Sequence, residues 1–217
     1  MNTELLFKIL LIIHIIAGSI GLLTGTLNIA RKKGDTLHKN VGLFFLYGML
    51  INGVAGIFMS LIHSNLFLFI VGVFSIYMAA TGQRYLSLKR LNKGEKAKSI
   101  DWILSCVMLL FGIGFLVYGA VLLFKSNNFS IVLLVFGFIS CSMVLKDFKN
   151  YQGKNTIKNF WLLLHIQRMV GSYIAAATAF LVVNNTFLPG IVAWLLPTVI
   201  LTPLLFKWSN KYKIVSK

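Results

Sequence analysis

The fold is decided by residues 5–40, LLFKILLIIHIIAGSIGLLTGTLNIARKKGDTLHKN, an apolar run that ends in a basic loop. The apolar part, residues 5–30, exceeds the ~20 residues that a helix needs to cross about 30 Å of hydrocarbon. The loop that follows, residues 31–40, carries four basic residues. A long apolar segment beside a short basic loop is typical of a membrane-spanning helix and its cytoplasmic flank.

The same alternation of apolar runs and short loops continues along all 217 residues. Hydrophobic residues make up 58% of the chain and charged residues only 12%, whereas about a quarter of a soluble domain is charged. We therefore predict an all-α membrane protein, a bundle of seven transmembrane helices that forms a single integral membrane domain over residues 1–217. The predicted spans are 5–30, 41–62, 66–86, 100–124, 129–146, 160–183 and 190–208.

The distribution of charge predicts the orientation of the bundle. Of the 21 Lys and Arg residues, 18 lie in segments 31–40, 84–98, 146–158 and 207–217, while the alternate connections share one lysine. Basic loops stay in the cytoplasm, so the N-terminus is predicted outside and the C-terminus in the cytoplasm of a multi-pass cell-membrane protein. The net charge of +16 then reflects loops that face anionic lipid, and nucleic acid is not predicted as a partner.

Ionisable residues inside the spans are the candidate functional residues, because such residues are rare in membranes and usually functional. His14 lies in span 1, and His165 and Arg168 lie in span 6 on one face with Ser172. His38 precedes span 2 on the predicted inner side. For His14 the alternative is a hydrogen-bonded packing residue beside small neighbours.

Arg168 is the most demanding of these residues, since an unpaired charge in low dielectric is costly. No Asp or Glu lies well inside a predicted span, so Arg168 has no obvious buried acidic partner. It leans toward the inner interface, where it can reach water or lipid phosphate, or pair with Asp101 or Asp147. The remaining alternative is that Arg168 binds an anionic ligand.

The depths of the histidines bear on a haem site. At 1.5 Å per residue, His14 lies roughly 22 Å from the inner edge and His165 roughly 9 Å. His38 and His165 are therefore the better pair for one iron, and Arg168 would meet the haem propionates. A bare metal ion is disfavoured, because Arg168 repels cations and a carboxylate- or thiolate-rich ligand set is missing.

One stretch resembles a known family. Residues 14–45, HIIAGSIGLLTGTLNIARKKGDTLHKNVGLFF, carry H-x-x-x-G at His14 and again at His38. This arrangement resembles a family of bacterial polytopic membrane proteins that is catalogued as a domain of unknown function. HIQRMVGSYIAAATAFLVVN resembles the later histidine-and-arginine helix of that family. The resemblance implies His14, His38, His165 and Arg168 as site residues and a bacterial cytoplasmic membrane as the location, without a reaction.

Three functions remain open at this point. The first is the binding of a redox cofactor, haem or quinone, or of another anionic ligand at an inner-leaflet His/Arg site. The second is a transporter or channel for a small solute, and the third is an assembly or accessory protein with a membrane partner or a second copy. No catalytic residue is predicted, because the chain lacks a nucleophile–base arrangement, a P-loop and a zinc-protease motif.

Overall fold

Seven long helices make up the computed structural model, which describes residues 2–153, 155 and 157–214. Each is long and apolar enough to cross a membrane, and no β-strand occurs in this range. The predicted all-α seven-helix fold is confirmed, and the rest of the predicted domain 1–217 lies outside the described residues. The helices are α1 Thr3–Ala30, α2 Thr36–Ile62, α3 Leu66–Tyr85, α4 Ser99–Phe124, α5 Phe129–Tyr151, α6 Phe160–Asn184 and α7 Gly190–Tyr212.

The basic loops meet at one end of the bundle, where α1, α3, α5 and α7 end and α2, α4 and α6 begin. We call this the basic end. Which side of the membrane it faces stays a prediction. Three helices extend four or five residues beyond the predicted spans, and all three extensions lie here. Helix α2 begins at Thr36, before the predicted 41. Helices α5 and α7 end at Tyr151 and Tyr212, after the predicted 146 and 208.

The early start of α2 follows from the turn that precedes it. Asp35 is the N-cap, and its carboxylate accepts a hydrogen bond of 2.6 Å from the backbone N–H of His38. On the other side of the turn, the Lys33 ammonium donates to the carbonyl oxygens of Asn28, Ile29 and Arg31 at 2.7–2.9 Å. A cation at a helix C-terminus and an acceptor at an N-terminus satisfy orphan backbone groups. His38 therefore lies in the first turn of α2.

Helix α3 lies at the centre of the bundle and packs against α2, α4, α5 and α6. Glycines set the close approach of two other pairs. A Cβ added at Gly48 of α2 would lie 3.0 Å from the carbonyl oxygen of Ala17 in α1. One added at Gly137 of α5 would lie 2.9 Å from the carbonyl oxygen of Gly112 in α4. Small residues at these crossings let the helix backbones approach directly.

Helix α7 packs mainly against α6 and, within the described residues, makes almost no helix–helix contact with α1. The two helices are therefore not packed directly against each other. Loop residues 158 and 159 hold the end of α7 in place. Lys158 N–H donates to the carbonyl oxygen of Ile214 at 3.0 Å, and Asn159 donates to the carbonyl oxygen of Tyr212. A space remains between α1 and α7.

Candidate functional site

A cavity of about 540 Å³ lies at the basic end, enclosed by α1, α2, α3, α6 and α7. Its size falls within the range of about 300–1,000 Å³ that is usual for small-molecule and cofactor sites. Apolar side chains dominate the wall, as is usual for such sites. The aromatic members of the wall are Phe45, Trp161, Tyr173, Trp208 and Tyr212.

The structure brings His38 and His165 to this one cavity. His165 projects from α6, and its Nδ1 lies 2.9 Å from the carbonyl oxygen of Gly82 in α3. A carbonyl can only accept, so Nδ1 carries the proton and the neutral ring keeps a lone pair on Nε2. Helix α3 thereby fixes both the tautomer and the orientation of the ring.

The backbone carbonyl of His38 is hydrogen-bonded, whereas, in the part of the chain that the structure describes, its ring Nδ1 is not. Its carbonyl oxygen accepts from the Asn28 side chain at 3.1 Å. Its ring Nδ1 is buried and finds no hydrogen-bond partner among the described residues, and the same holds for Asn28 Oδ1. Both residues line the cavity. Buried polar atoms without a partner are uncommon, since each costs roughly 1–3 kcal/mol.

The charge around the cavity is positive. Lys33, Lys39 and Lys89 contribute to the wall, and no Asp or Glu does so in the described part of the chain. Two of the lysines lie over aromatic rings of the wall: Lys33 Nζ is 4.4 Å from the Trp208 centroid and Lys89 Nζ is 4.7 Å from that of Trp161. Such cation–π contacts hold the ammonium groups at the rim.

Two ionisable groups in the loop next to the cavity have shifted pKa values. Partial burial lowers the pKa of the Lys33 ammonium. The pKa of the Asp35 carboxyl is also lowered, mainly by the backbone hydrogen bond from His38 and then by the Arg31 side chain at 3.0 Å. Asp35 therefore stays an anion that stabilises the start of α2, and its charge points to the loop and not to the cavity wall.

Arg168 does not line the cavity. Its Nη2 donates to Asp147 Oδ1 at 2.6 Å, and the two side chains are 2% and 0% exposed. The expectation that Arg168 has no buried acidic partner was wrong, because α5 continues for a full turn beyond residue 146 and carries Asp147 inside the bundle. Of the alternatives, pairing with Asp147 is the one that the structure shows. Asp101 instead pairs with Arg84 at 2.7 Å.

Asp147 accepts three further hydrogen bonds. The hydroxyls of Tyr77 and Tyr85 donate to its two oxygens at 2.5 Å each, and Ser105 donates at 3.3 Å. These residues and Arg168, here called the Asp147 cluster, join α3, α4, α5 and α6. Sequence reasoning missed the tyrosines. The available signal was the need of Arg168 for a partner, which pointed only to an acid near a span edge.

The other two candidate residues lie apart from the cavity. His14 donates from Nδ1 to the carbonyl oxygen of Asn52 at 3.0 Å and lies against Gly56, between α1 and α2. Ser172 is fully buried in α6, and its hydroxyl has no partner in residues 2–153, 155 and 157–214. The helix face that the sequence groups as one site is thus divided among several neighbours.

Within the described residues, no group of three or more His, Cys, Asp or Glu is arranged to hold a metal ion. Comparison with protein-family models, with curated proteins and with solved structures gives no match to this chain. The resemblance to the H-x-x-x-G membrane family stays a prediction, and the function has to be argued from the cavity itself.

Proposed function

We propose that this multi-pass membrane protein binds, in the cavity at its basic end, a ligand that has an apolar body and an anionic group. The main support for the proposal is the set of side chains that line this cavity. Two histidines, three lysines and a set of aromatic side chains line about 540 Å³.

The two parts of the ligand follow from two parts of the wall. The apolar and aromatic surface favours a hydrophobic body. The lysines favour negative charge, and the lack of acidic groups in the described wall leaves nothing to neutralise them internally. Arg168 is already paired with a carboxylate, so the lysines of the cavity wall are the cations proposed to attract the ligand.

A membrane-dissolved ligand could enter the cavity between α1 and α7. Helices α1 and α7 flank the cavity but barely touch within the described residues, and the Lys33–Trp208 contact spans the gap at its basic end. A hydrophobic molecule with a charged head can lie between the two helices with its head at the lysines.

Quenching of the cavity tryptophans tests the proposal. A Trp102→Phe/Trp194→Phe variant retains Trp161 and Trp208, both in the wall. In nanodiscs of uncharged lipid it is titrated with dibromostearate and, as the matched neutral control, with its methyl ester. We expect saturable quenching by the acid, a much weaker response to the ester, and a loss of the difference in Lys33→Gln/Lys89→Gln. Equal quenching by acid and ester would refute the proposal.

The proposal places the basic end in the cytoplasm. In a Cys106→Ser/Cys141→Ser background, single cysteines at Lys96 and Asn128 sit in exposed loops at opposite ends of the bundle. A membrane-impermeant maleimide added to intact cells should label Asn128→Cys at once and Lys96→Cys only after the membrane is opened. The reverse pattern would contradict this orientation.

A further inference from the structure

We infer that the ligand of this cavity is haem, with its iron bound by ring nitrogens of His38 and His165. The inference rests on the proposed function and narrows it to one cofactor class. The two rings come from different helices, α2 and α6, and line the same space. Imidazole nitrogen is a common axial ligand of haem iron, and two histidines on one cavity wall could supply both axial ligands.

The surroundings of His165 are those of a metal-ligating histidine. Such residues almost always donate their second ring N–H to a carbonyl or carboxylate, which fixes the ring and raises its basicity. The 2.9 Å hydrogen bond from His165 Nδ1 to the Gly82 carbonyl supplies this contact. The lone pair on Nε2 is then ready for the iron without any change of tautomer.

The ring of His38 needs a partner that the described protein does not supply. Its Nδ1 is buried and unpaired, which is costly for a polar atom. Because this nitrogen has almost no accessible surface, a metal in the cavity would have to meet Nε2, the other ring nitrogen that can bind one. His38 also sits in the first turn of a helix that is capped independently by Asp35, so its ring is positioned before any ligand binds.

Space for a flat macrocycle exists beside His38. Gly42 is one helical turn further along α2, and within 4 Å a Cβ added there would meet only the Asn28 amide nitrogen, at 3.2 Å. A larger side chain at position 42 would occupy the cavity. The glycine leaves the backbone of α2 open to a planar ring, and Trp161 and Trp208 supply aromatic surface on other walls.

The lysines match the two propionates that haem carries on one edge. Lys39 and Lys89 lie on the wall, so they can pair with the carboxylates. The three N–H groups of Lys33 already meet backbone carbonyls, so Lys33 contributes only its positive charge. A bare divalent cation fits poorly, because these lysines repel it and two histidines without a carboxylate are an incomplete ligand set. A quinone carbonyl can only accept a hydrogen bond, so it offers no partner for the lone pair of His165 Nε2.

Haemin titration of the purified protein in nanodiscs tests the inference. We expect a saturable Soret band and the sharp visible bands of six-coordinate, low-spin iron. Loss of outer-shell partners alone typically lowers metal affinity about 10–100-fold. We therefore expect His38→Ala and His165→Ala each to weaken haem binding at least about 10-fold and to give a five-coordinate spectrum.

Matched controls separate ligation from folding and from adventitious binding. His63→Ala removes an exposed histidine at the opposite end, and His14→Ala removes a packing histidine outside the cavity. Both should leave the spectrum unchanged. Added imidazole should restore the low-spin spectrum of His38→Ala and His165→Ala if their cavities are intact, which shows that the variants are folded.

Two results would overturn the inference: no saturable Soret change with the native protein, or a low-spin spectrum that persists in the His38→Ala/His165→Ala double variant. The dibromostearate titration distinguishes the two levels of the argument. If haem fails while charge-dependent quenching remains, the cavity still binds an anionic apolar ligand of another class. If both fail, the proposed function fails with the haem assignment.

Discussion

His165 and Arg168 lie three residues apart on α6, yet the structure treats them in opposite ways. Arg168 belongs to the Asp147 cluster, where a buried carboxylate meets its guanidinium and three hydroxyl donors. His165 faces a cavity in which polar atoms of His38 and Asn28 lack partners among the described residues. An ionisable residue in a membrane is therefore a functional candidate only when the surrounding protein leaves it incomplete.

The energetic consequences differ in the same way. Both members of a buried ion pair lose their hydration, and only close contact and further hydrogen bonds offset that cost. The Asp147 cluster provides both. The cluster links four helices and fixes how α3 and α6 pack. That packing places Gly82 beside the side-chain base of Arg168 and its carbonyl beside His165. The Asp147 cluster thus helps to fix the shape of the cavity.

The largest expected effect comes from breaking the cluster. Arg168→Gln leaves the Asp147 anion buried without its cation, and removal of one partner from a buried pair typically costs about 3–5 kcal/mol. The Arg168→Gln/Asp147→Asn double variant carries no charge at these two positions and keeps a hydrogen-bond acceptor for the tyrosines. We expect it to regain most of the lost free energy of unfolding, measured by titration with SDS in mixed micelles.

The same pair of variants sharpens the contrast with the cavity. If the cluster only shapes the bundle, ligand affinity in the double variant should stay within a few-fold of the native value once the protein is folded. A double variant that is no more stable than Arg168→Gln would show that the two side chains are not energetically paired. Ligand affinity lost in the double variant but not in His14→Ala would assign Arg168 to the binding site.

The sequence predicts the helices well because membrane thickness sets their length. The helices extend beyond the predicted spans to residues 36, 151 and 212, since a helix can continue past its apolar run when its end is capped or its polar side chains are buried. Asp147 looked like a loop residue, although the face of α5 that carries it is buried against α3, α4 and α6. No periodicity argument could locate its tyrosine partners.

The candidate site was partly visible in the sequence. His38 and His165 share one end of the bundle because alternating spans reverse direction, which sequence order alone determines. His14 is a candidate because it is ionisable and lies inside a span, and Ser172 because it shares a helix face with His165 and Arg168. A shared face does not identify the neighbour that it meets. The face of α1 that carries Gly21 meets Met49 of α2, and unpaired ring nitrogens become visible only in three dimensions.

The second prediction compares two glycines on α2. At Gly48, a side chain would meet the α1 backbone at 3.0 Å, whereas at Gly42 it would meet only a flexible amide and the cavity. Overpacking a tight contact typically costs about 1–3 kcal/mol. We expect Gly48→Leu to lose at least that amount in the SDS titration. Gly42→Leu should change stability by less than about 1 kcal/mol and still abolish ligand binding.

Ligand binding by Gly42→Leu would contradict this prediction. Gly42→Leu that binds haemin and dibromostearate with native affinity would show that the space beside His38 is not used by a ligand. The intermediate change Gly42→Ala should give an intermediate loss of affinity, because a methyl group fills only part of the same space. Neither substitution should alter the spectrum if a bound ring lies elsewhere in the bundle.

The smallest effect concerns the contact between α1 and α6 at the cavity wall. The hydroxyls of Thr26 and Tyr173 are 2.7 Å apart, and side-chain hydrogen bonds between membrane helices average about 0.6 kcal/mol in double-mutant cycles. Tyr173→Phe and Thr26→Val should each cost about this amount, and the double variant should cost little more than either alone. Fully additive losses would mean that the hydroxyls do not interact. The aromatic ring stays in the wall in Tyr173→Phe, so ligand affinity should fall far less than in Gly42→Leu. The two variants thereby distinguish the loss of a helix–helix hydrogen bond from the loss of cavity space.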